Sequence, residues 1–258
     1  MEVTTSEGYA SGPEGAPLVA PNLAKAFQAS VAKQGDATAI VSGDETISWN
    51  ELHSQARACA GGFASLGVGK GDTVAIMLNN RAEFMPIDLG AVTLGAVPFS
   101  IYQTSSPEQI IHVCSDAGAK VAVVEKAFLE VFLKAKEELP ELEHIITLDG
   151  DGGTMTLEEL MAVEPDFDDS VADEVGLDDL LTLIYTSGTT GPPKGVQLTH
   201  RNLMSLVSSV EDMIPFPEDQ DNKVISWLPA AHIAERGAHY YLPVVMGISV
   251  TILSLIHI

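Results

Sequence analysis

The segment from Tyr185 to Gly195, "YTSGTTGPPKG", holds four serine or threonine hydroxyls, three glycines and one lysine within eleven residues. Glycines let backbone N–H groups converge on a ligand without obstruction from a Cβ atom, hydroxyls donate further hydrogen bonds, and a cation offsets negative charge. The run Thr186–Gly191 meets the first two needs and Lys194 meets the third, so the segment predicts a polyphosphate-binding loop. A surface turn without a ligand is the alternative. A buried strand before the loop, and a strand and capped helix after it, favour the binding loop.

This loop does not follow the Walker A pattern, which requires a glycine, four residues, and then Gly-Lys-Ser/Thr. Counting from Gly188, the fifth residue is Pro193 instead of glycine, and Gly195 follows Lys194 in place of a hydroxyl residue. The letters "GVQLT" after the lysine predict a short strand, and the next helix begins only after Thr199 as its N-cap. We therefore expect a hairpin-like loop, which disfavours a P-loop phosphotransferase.

The elements that position this loop alternate between strand and helix patterns, as is typical of βαβ units in a largely parallel sheet. Capping pairs three residues apart mark two helix starts, at Ser48 with Glu51 and at Ser106 with Gln109. The first of these helices places apolar side chains at helical spacing, at Leu52, Ala56, Cys59, Phe63 and Leu66. Strands are predicted in "DTVAIML", "AVPFSIY", "AKVAVVE", "HIITL" and "LLTLIY", the last of which leads into the loop. The predicted fold class is α/β, with mixed, mostly parallel sheets flanked by helices.

The chain is strongly acidic, with 36 acids against 13 bases in 258 residues and a net charge of −23. Such a chain repels nucleic-acid backbones and anionic lipid headgroups over most of its surface, so no nucleic-acid partner is expected. Any phosphate that it binds must be held by a local site. Apolar residues make up 46% of the chain, enough for a sizeable core.

Two cysteines and the N-terminus indicate a cytoplasmic protein. Cys59 and Cys114 each lie in an apolar helical pattern, which favours two reduced core thiols over one disulfide. Residues 1–20 lack the basic and apolar regions of a secretory signal and predict a disordered tail.

The last part of the chain, Tyr240–Ile258, is uncharged and has about the length of a membrane span. Pro243, Gly247 and the run "ISVTI" instead favour a helix end, a turn and a buried strand. The final letters "LSLIHI" match the translation of a common sequencing adaptor, so we expect Leu253–Ile258 to be an artefact. In a chain cut there, the last strand is expected to lack its sheet neighbours and to expose an apolar edge.

An acidic run separates the two halves of the pattern. Eight acids and no base lie between Glu164 and Asp179, without the fixed spacing of metal ligands. This pattern favours a solvated linker at about residues 162–179 over a metal site.

The segment Leu183–Leu203, "LIYTSGTTGPPKGVQLTHRNL", resembles the phosphate-loop signature of the acyl-adenylate-forming, or AMP-binding, superfamily. The segment Ser226–Arg236, "SWLPAAHIAER", is similar to the next core motif in the form common among long-chain fatty acyl-CoA synthetases. The runs "AVPFSIYQTSSPEQI" and "TISWNEL" resemble upstream segments of the same enzymes. The resemblance extends from about residue 21 to residue 252, and it implies an incomplete N-terminal domain of the adenylate-forming fold.

Members of this superfamily use ATP to convert a carboxylate into an acyl-adenylate and pyrophosphate, and then transfer the acyl group to coenzyme A. The resemblance implies a set of residues that hold the β- and γ-phosphates of ATP: Thr186, Ser187, Gly188, Thr189, Thr190, Gly191 and Lys194. It also implies that Thr186 reaches the shell of Mg²⁺.

The resemblance further places His232 near the adenylate and the acyl and pantetheine channels, where it positions or gates. The alternative is a histidine at a helix start with a structural hydrogen bond. Trp227 is expected to line the acyl channel or to be a core residue, and Glu235 and Arg236 to lie at the surface or at a subunit contact. His232 and His239 are seven residues apart but lack further ligands for zinc.

The later motifs of the superfamily, which bind adenine and ribose and supply a catalytic lysine, are missing from this sequence, as is the C-terminal domain. The resemblance therefore implies the N-terminal fragment of a cytoplasmic, Mg²⁺- and ATP-dependent long-chain fatty acid–CoA ligase, inactive by itself. Its partners are expected to be fatty acid, ATP and CoA, with no transmembrane segment and with peripheral membrane association of the parent enzyme left open. The alternatives are an adenylating ligase for another carboxylic acid or a carrier protein, and a non-catalytic nucleotide-binding module.

Overall fold

The computed structural model describes residues 4–6, 9–11, 17–186, 191–214 and 222–253. The helices are α1 (Leu23–Gln34), α2 (Trp49–Ser65), α3 (Phe84–Thr93), α4 (Pro107–Ala117), α5 (Leu129–Lys136), α6 (Leu157–Val163), α7 (His200–Met213) and α8 (Leu242–Met246). The first nine strands are β1 (Thr4–Ser6), β2 (Tyr9–Ser11), β3 (Thr38–Ser42), β4 (Glu45–Ser48), β5 (Thr73–Met77), β6 (Val97–Ser100), β7 (Val121–Glu125), β8 (His144–Leu148) and β9 (Met155–Thr156). The later strands are β10 (Leu180–Thr186), β11 (Lys194–Thr199), β12 (Lys223–Ser226) and β13 (Ser249–Ile252). Two 3₁₀ helices, at Lys126–Phe128 and Asp169–Glu174, and a π-helix, at Glu235–Tyr241, complete the assignment.

A seven-stranded sheet in the order β11-β10-β6-β5-β7-β8-β9 lies at the centre of the fold. Its neighbouring strands are parallel except for the antiparallel pair β10 and β11. On β5, Val74 and Ile76 join the core cluster built with α1, α2 and α3, whereas Ala75 and Met77 join the cluster built with α4 and α5. A strand buried on both faces is typical of a parallel sheet between helical layers. The predicted fold class is confirmed.

Helices α2 and α3 pack closely because α3 carries a glycine at their contact. A Cβ atom at Gly90 would lie 2.7 Å from the Cβ atom of Cys59 and 2.8 Å from the carbonyl oxygen of Ala56. Cys59 therefore lies in the core on one face of the sheet, while Cys114 lies in the core on the other. The two thiols cannot pair within one chain, and burial raises the pKa of each to about 12.

The predicted helix starts are confirmed by their hydrogen bonds. Ser48 and Glu51 form a capping box at the start of α2, and Ser106 and Gln109 form one at the start of α4. Thr199 caps α7 by accepting a hydrogen bond from a backbone N–H in the first turn. Each such cap typically stabilises a helix by about 1 kcal/mol, so α2, α4 and α7 have fixed starting points.

The second sheet has the order β12-β13-β3-β4, and β13 lies between β12 and β3, parallel to both. The expectation that the last strand lacks its neighbours is therefore wrong, because the chain returns after α8 to pair with a strand near its beginning. The uncharged stretch from Tyr240 is divided among the π-helix, α8 and β13. Within the described ranges, no helix is both long enough and apolar enough to cross a bilayer. Residues 254–258, which include most of the predicted artefact, lie outside the described residues.

The acidic run is ordered instead of forming a solvated linker. The side-chain amide of Asn22 donates to the carbonyl oxygens of Ala172 and Val175, at 3.0 and 2.9 Å. Lys25 pairs with Asp173 at 2.6 Å. Residues of α1 and its N-cap thus hold this run against the domain, which overturns the linker prediction. In the described ranges, no group of three or more metal-ligating side chains is present. At the N-terminus, β1 and β2 form a short antiparallel pair within the segment predicted to be a disordered tail.

His200, the first residue of α7, is only 1% exposed, and its Nδ1 accepts a hydrogen bond from the backbone N–H of Leu23 at 3.1 Å. This contact joins the start of α7 to the start of α1. Burial lowers the pKa of His200 to about 4, an effect that nearby Asp179 opposes and Lys70 reinforces. The neutral imidazole is thus the form that the fold requires.

We expect acid to destabilise the fold through His200. The unfolded side chain titrates near 6.5 and the folded one near 4, so the unfolded state binds more protons between these pH values. Stability is therefore lost as the pH falls through this window, by about 3 kcal/mol for this group. Urea unfolding of the wild type and of His200→Asn, which keeps an acceptor but does not titrate, measures the difference across the pH series. Parallel pH profiles for the two proteins would contradict this assignment.

Candidate functional site

The predicted loop joins two strands that pair along their whole length. Thr186, at the end of β10, is paired with Lys194, at the start of β11, and Tyr185 is paired with Gly195. The two ends of the loop therefore lie side by side, as the hairpin prediction requires. Gly191 has a φ of 90°, a conformation that favours glycine. The remaining predicted phosphate-binding residues, Ser187, Gly188, Thr189 and Thr190, lie outside the described residues.

Tyr185 fixes the base of this hairpin. Its ring packs over Gly195, where a Cβ atom would lie only 3.1–3.2 Å from the ring and hydroxyl atoms. The Tyr185 hydroxyl donates to the carboxylate of Asp116 on α4 at 2.8 Å, and the ring contacts Phe99 on β6 with centroids 5.6 Å apart. Burial raises the pKa of Tyr185, so its hydroxyl stays a neutral donor at ordinary pH.

A cavity of about 440 Å³ opens beside Thr186. Its lining comes from the end of β6 and the turn after it, from α4, from the two strands of the hairpin and from the segment before the π-helix: Ser100, Ile101, Tyr102, Thr104, Ser105, Gln109, Val113, Ile184, Tyr185, Thr186, Pro193, His232 and Ile233. The cavity thus lies at the carboxyl ends of the parallel strands β6 and β10. The chain leaves β5 toward α3 on one face of the sheet and leaves β6 toward α4 on the other. Open α/β sheets bind ligands at such a switch point, which here lies between β5 and β6, next to the cavity at the ends of β6 and β10.

His232 lies on the wall of the same cavity as Thr186. Its Nδ1 accepts a hydrogen bond from the backbone N–H of Ala234 at 3.1 Å, and its side chain is exposed. Because Nδ1 is an acceptor, the neutral ring carries its proton on Nε2. The structural hydrogen bond of the alternative interpretation is therefore present, and the same side chain faces the cavity. Trp227 is 46% exposed and does not line this cavity, so its interpretation as a core residue is wrong.

Arg236 and Glu235 are fully buried, which overturns their prediction as surface or subunit-contact residues. Arg236 forms an ion pair with Asp88 of α3 and donates to the hydroxyls of Tyr241, at 2.7 Å, and Ser100, at 2.8 Å. The π-helix makes this possible, because its wider turn brings residues five apart together. Since Ser100 lines the cavity, Arg236 supports one wall from behind.

Glu235 faces the opposite way from its neighbour and fixes the segment that carries His232. Its carboxylate accepts from the backbone N–H of Leu228 at 3.0 Å, and His239 Nδ1 lies 2.6 Å from the same oxygen. Glu235 and Arg236, at the start of the π-helix, thus contact different parts of the core. In a helix at the surface, at least one of two adjacent side chains is usually exposed to solvent.

Lys194 is the cation nearest to the loop in sequence. It is exposed, and no carboxylate of the described residues lies within ion-pairing distance. Within the described part of the chain, Lys194 differs from the other lysines and arginines, each of which has a hydrogen bond, an ion pair or another side-chain interaction. In so acidic a chain, a free cation beside a glycine-containing loop is suited to an anionic ligand.

The sequence patterns do not predict that Arg236 supports the cavity wall, or that Gln109 and Val113 of α4 line the cavity. The position of α4 offers a signal for the latter pair, since this helix directly follows the carboxyl end of β6. Arg236 offered none, because its burial depends on a π-helix, which helical periodicity does not reveal.

Comparison with known proteins agrees with this geometry. Residues 27–255 match the model of the family described as AMP-binding enzyme. The chain is 33% identical over 237 residues to long-chain-fatty-acid–CoA ligase ACSBG2 of Xenopus laevis, with 86% of this chain and 32% of that protein covered. It is 37% identical over 194 residues to 4-coumarate–CoA ligase 3 of Oryza sativa subsp. japonica, with 73% of this chain and 34% of that protein covered.

The inhibitor-bound crystal structure of the N-terminal domain of FACL13 from Mycobacterium tuberculosis superposes with a TM-score of 0.80 at 26% identity, covering 91% of this chain and 57% of that one. The chain spans about a third of the length of the two curated relatives. By the family match over residues 27–255, which is most of its length, the chain belongs to the AMP-binding enzyme family.

Proposed function

We propose that this chain is the N-terminal part of an ATP-dependent acyl-CoA ligase, in which the loop from Thr186 to Lys194 holds the β- and γ-phosphates of ATP. One observation carries the proposal: Lys194 is unpaired among the described residues and lies directly opposite Thr186 across the hairpin. The acidity of the chain makes this arrangement significant, because 36 acids against 13 bases leave few cations available to a polyanion, and Lys194 is one without an ion-pair partner among the described residues.

The residues present fit a magnesium nucleotide. Mg²⁺ usually keeps several waters and takes phosphate oxygens together with only one or two protein ligands. The Thr186 hydroxyl, at the cavity wall, fits the role of one such ligand. When bound, Mg²⁺ supplies charge neutralisation as an anionic carboxylate approaches the triphosphate. Lys194 and the loop glycines contribute the protein's part of that neutralisation.

For the acid substrate we propose a long-chain fatty acid. The name of the Xenopus relative supports this choice, and so do the apolar cavity residues Ile101, Val113, Ile184 and Ile233. An aromatic acid is the second candidate substrate, because the rice relative is named a 4-coumarate–CoA ligase.

The reaction proceeds in two steps. Carboxylate oxygen is a poor leaving group, whereas AMP leaves readily, so adenylation prepares the acid for attack by the thiol of coenzyme A. His232, with its proton on Nε2 and its ring at the cavity wall, positions the reacting groups. Trp227, which is exposed and does not line this cavity, stays a proposed residue of the acyl channel. We propose a cytoplasmic setting, which the two buried, unpaired thiols support.

The loop assignment is tested by removing its cation. We expect Lys194→Ala to weaken MgATP binding about tenfold, as loss of one charge-assisted contact would, with an unchanged urea midpoint because Lys194 is exposed. Isothermal titration of the chain measures both proteins against a matched control, Lys134→Ala, which removes the same charge from an exposed site on α5. Two results would contradict the proposal that the loop binds phosphate. One is equal MgATP affinity for the wild type and Lys194→Ala, and the other is an equal loss of affinity in Lys194→Ala and in the control Lys134→Ala.

The chain alone is expected to form no thioester. The superfamily's catalytic lysine and adenine-binding motifs are missing from this sequence, so adenylation should not proceed even where nucleotide binds. Incubation with palmitate or 4-coumarate, MgATP and CoA, followed by mass spectrometry for the acyl-CoA product, measures this directly, with the Xenopus ligase as a positive control. Acyl-CoA formed by the 258-residue chain would show that the fragment assignment is mistaken.

A further inference from the structure

Helix α4 contacts both strands of the hairpin that carries the loop. His112 Nε2 lies 2.7 Å from the carbonyl oxygen of Pro193, and the carboxylate of Asp116 accepts from the Tyr185 hydroxyl at 2.8 Å. His112 and Asp116 are four residues apart, so they lie on one face of the helix, one turn from each other. One contact reaches the strand that enters the loop, and the other reaches the segment that leaves it.

Each contact has a defined direction. A carbonyl oxygen only accepts, so His112 carries a proton on Nε2 and donates it to Pro193. The carboxylate of Asp116 accepts from Tyr185, whose burial keeps its hydroxyl protonated. The two anchored residues each directly precede a phosphate-binding residue: Tyr185 precedes Thr186, and Pro193 precedes Lys194. Holding the Pro193 carbonyl fixes the peptide plane that leads into Lys194.

Helix α4 is itself held firmly enough to serve as a support. A capping box fixes its start, and Gly118, with a φ of 65°, closes its end. Ile110 and Cys114 bury its inner face in the core beside β6 and β7. The same helix lines the cavity through Gln109 and Val113. The anchoring side chains, the cavity wall and the core contact therefore belong to one rigid element.

We propose that His112 and Asp116 are positioning residues for the polyphosphate-binding loop, and that they act through Pro193 and Tyr185. They hold the two ends of the loop at the separation at which Thr186 and Lys194 contact the same ligand. Without these contacts, the two ends of the loop must become ordered when the phosphates bind, and this costs conformational entropy. The affinity for the phosphates therefore falls although no residue that contacts them has changed. This inference rests on the proposed function of the loop.

The test uses magnesium tripolyphosphate, which carries the phosphate chain without adenine or ribose, and isothermal titration of the 258-residue chain. We expect His112→Ala and Asp116→Ala each to weaken binding about tenfold, the size of one lost hydrogen bond at the loop base. His112→Gln keeps a donor and Asp116→Asn keeps an acceptor, so both should restore binding to within about twofold of the wild type. Ser115→Ala, at an exposed position on the same helix, is the matched control and should bind as the wild type does.

A double-mutant cycle separates positioning from general damage to the fold. Tyr185→Phe removes only a hydroxyl, and it should weaken binding as Asp116→Ala does, with no further loss when the two are combined. Urea midpoints for all variants show whether the domain remains folded.

Three outcomes overturn specific claims. Equal binding by the wild type and the alanine variants overturns the positioning role, and so does a loss that His112→Gln and Asp116→Asn fail to reverse. Absence of tripolyphosphate binding by the wild type overturns the proposed function of the loop, and the positioning role with it.

Discussion

The antiparallel register between β10 and β11 is the constraint on which the site depends. It brings Thr186 opposite Lys194 and Tyr185 opposite Gly195, so a hydroxyl and a cation that are eight positions apart in sequence meet at one edge of the sheet. The register is held where the glycine leaves room for the tyrosine ring. Beneath the loop, β10 is held against its other neighbour, because the Thr182 hydroxyl donates to the carbonyl oxygen of Pro98 at 2.7 Å. That bond links β10 to β6 beside a proline, which cannot donate to the strand ladder.

The charges near the loop determine whether an anionic ligand can bind at this edge of the sheet. Charges separated by more than about 10 Å are largely screened at physiological salt, so the overall acidity opposes a polyanion weakly at the site and the nearest groups decide. Most bases are already occupied: Lys25 and Arg236, for example, pair with Asp173 and Asp88. Lys194, by contrast, has no ion-pair partner among the described residues. The buried Arg236 instead orders the wall behind the cavity, where losing one partner would leave an uncompensated charge.

The sequence was most informative where a local rule determines the structure. Capping pairs located the starts of α2 and α4, and the continuous apolar runs located the strands of the parallel sheet, because both depend on neighbouring residues. Predictions from the sequence were wrong where contacts between distant segments determine the structure. The acidic run is ordered by Asn22 and Lys25, some 150 residues earlier, and β13 gains its neighbours from β3 and β12. The sequence predicts Arg236 at the surface or at a subunit contact, because the π-helix that contains it has no signature in the helical period. The composition of the loop predicts phosphate binding, whereas the hydrogen bonds from α4 to Tyr185 and Pro193 are visible only in the fold.

The central claim is that the glycine–threonine loop between β10 and β11 binds the β- and γ-phosphates of ATP. A crystal structure of this chain with MgATP tests that claim most directly. The account predicts β- and γ-phosphate oxygens at hydrogen-bonding distance, about 3 Å, from the Thr186 hydroxyl and Lys194 Nζ, with the cavity at the ends of β6 and β10 beside them. A triphosphate bound elsewhere on the chain, with these two side chains free of it, would contradict the account.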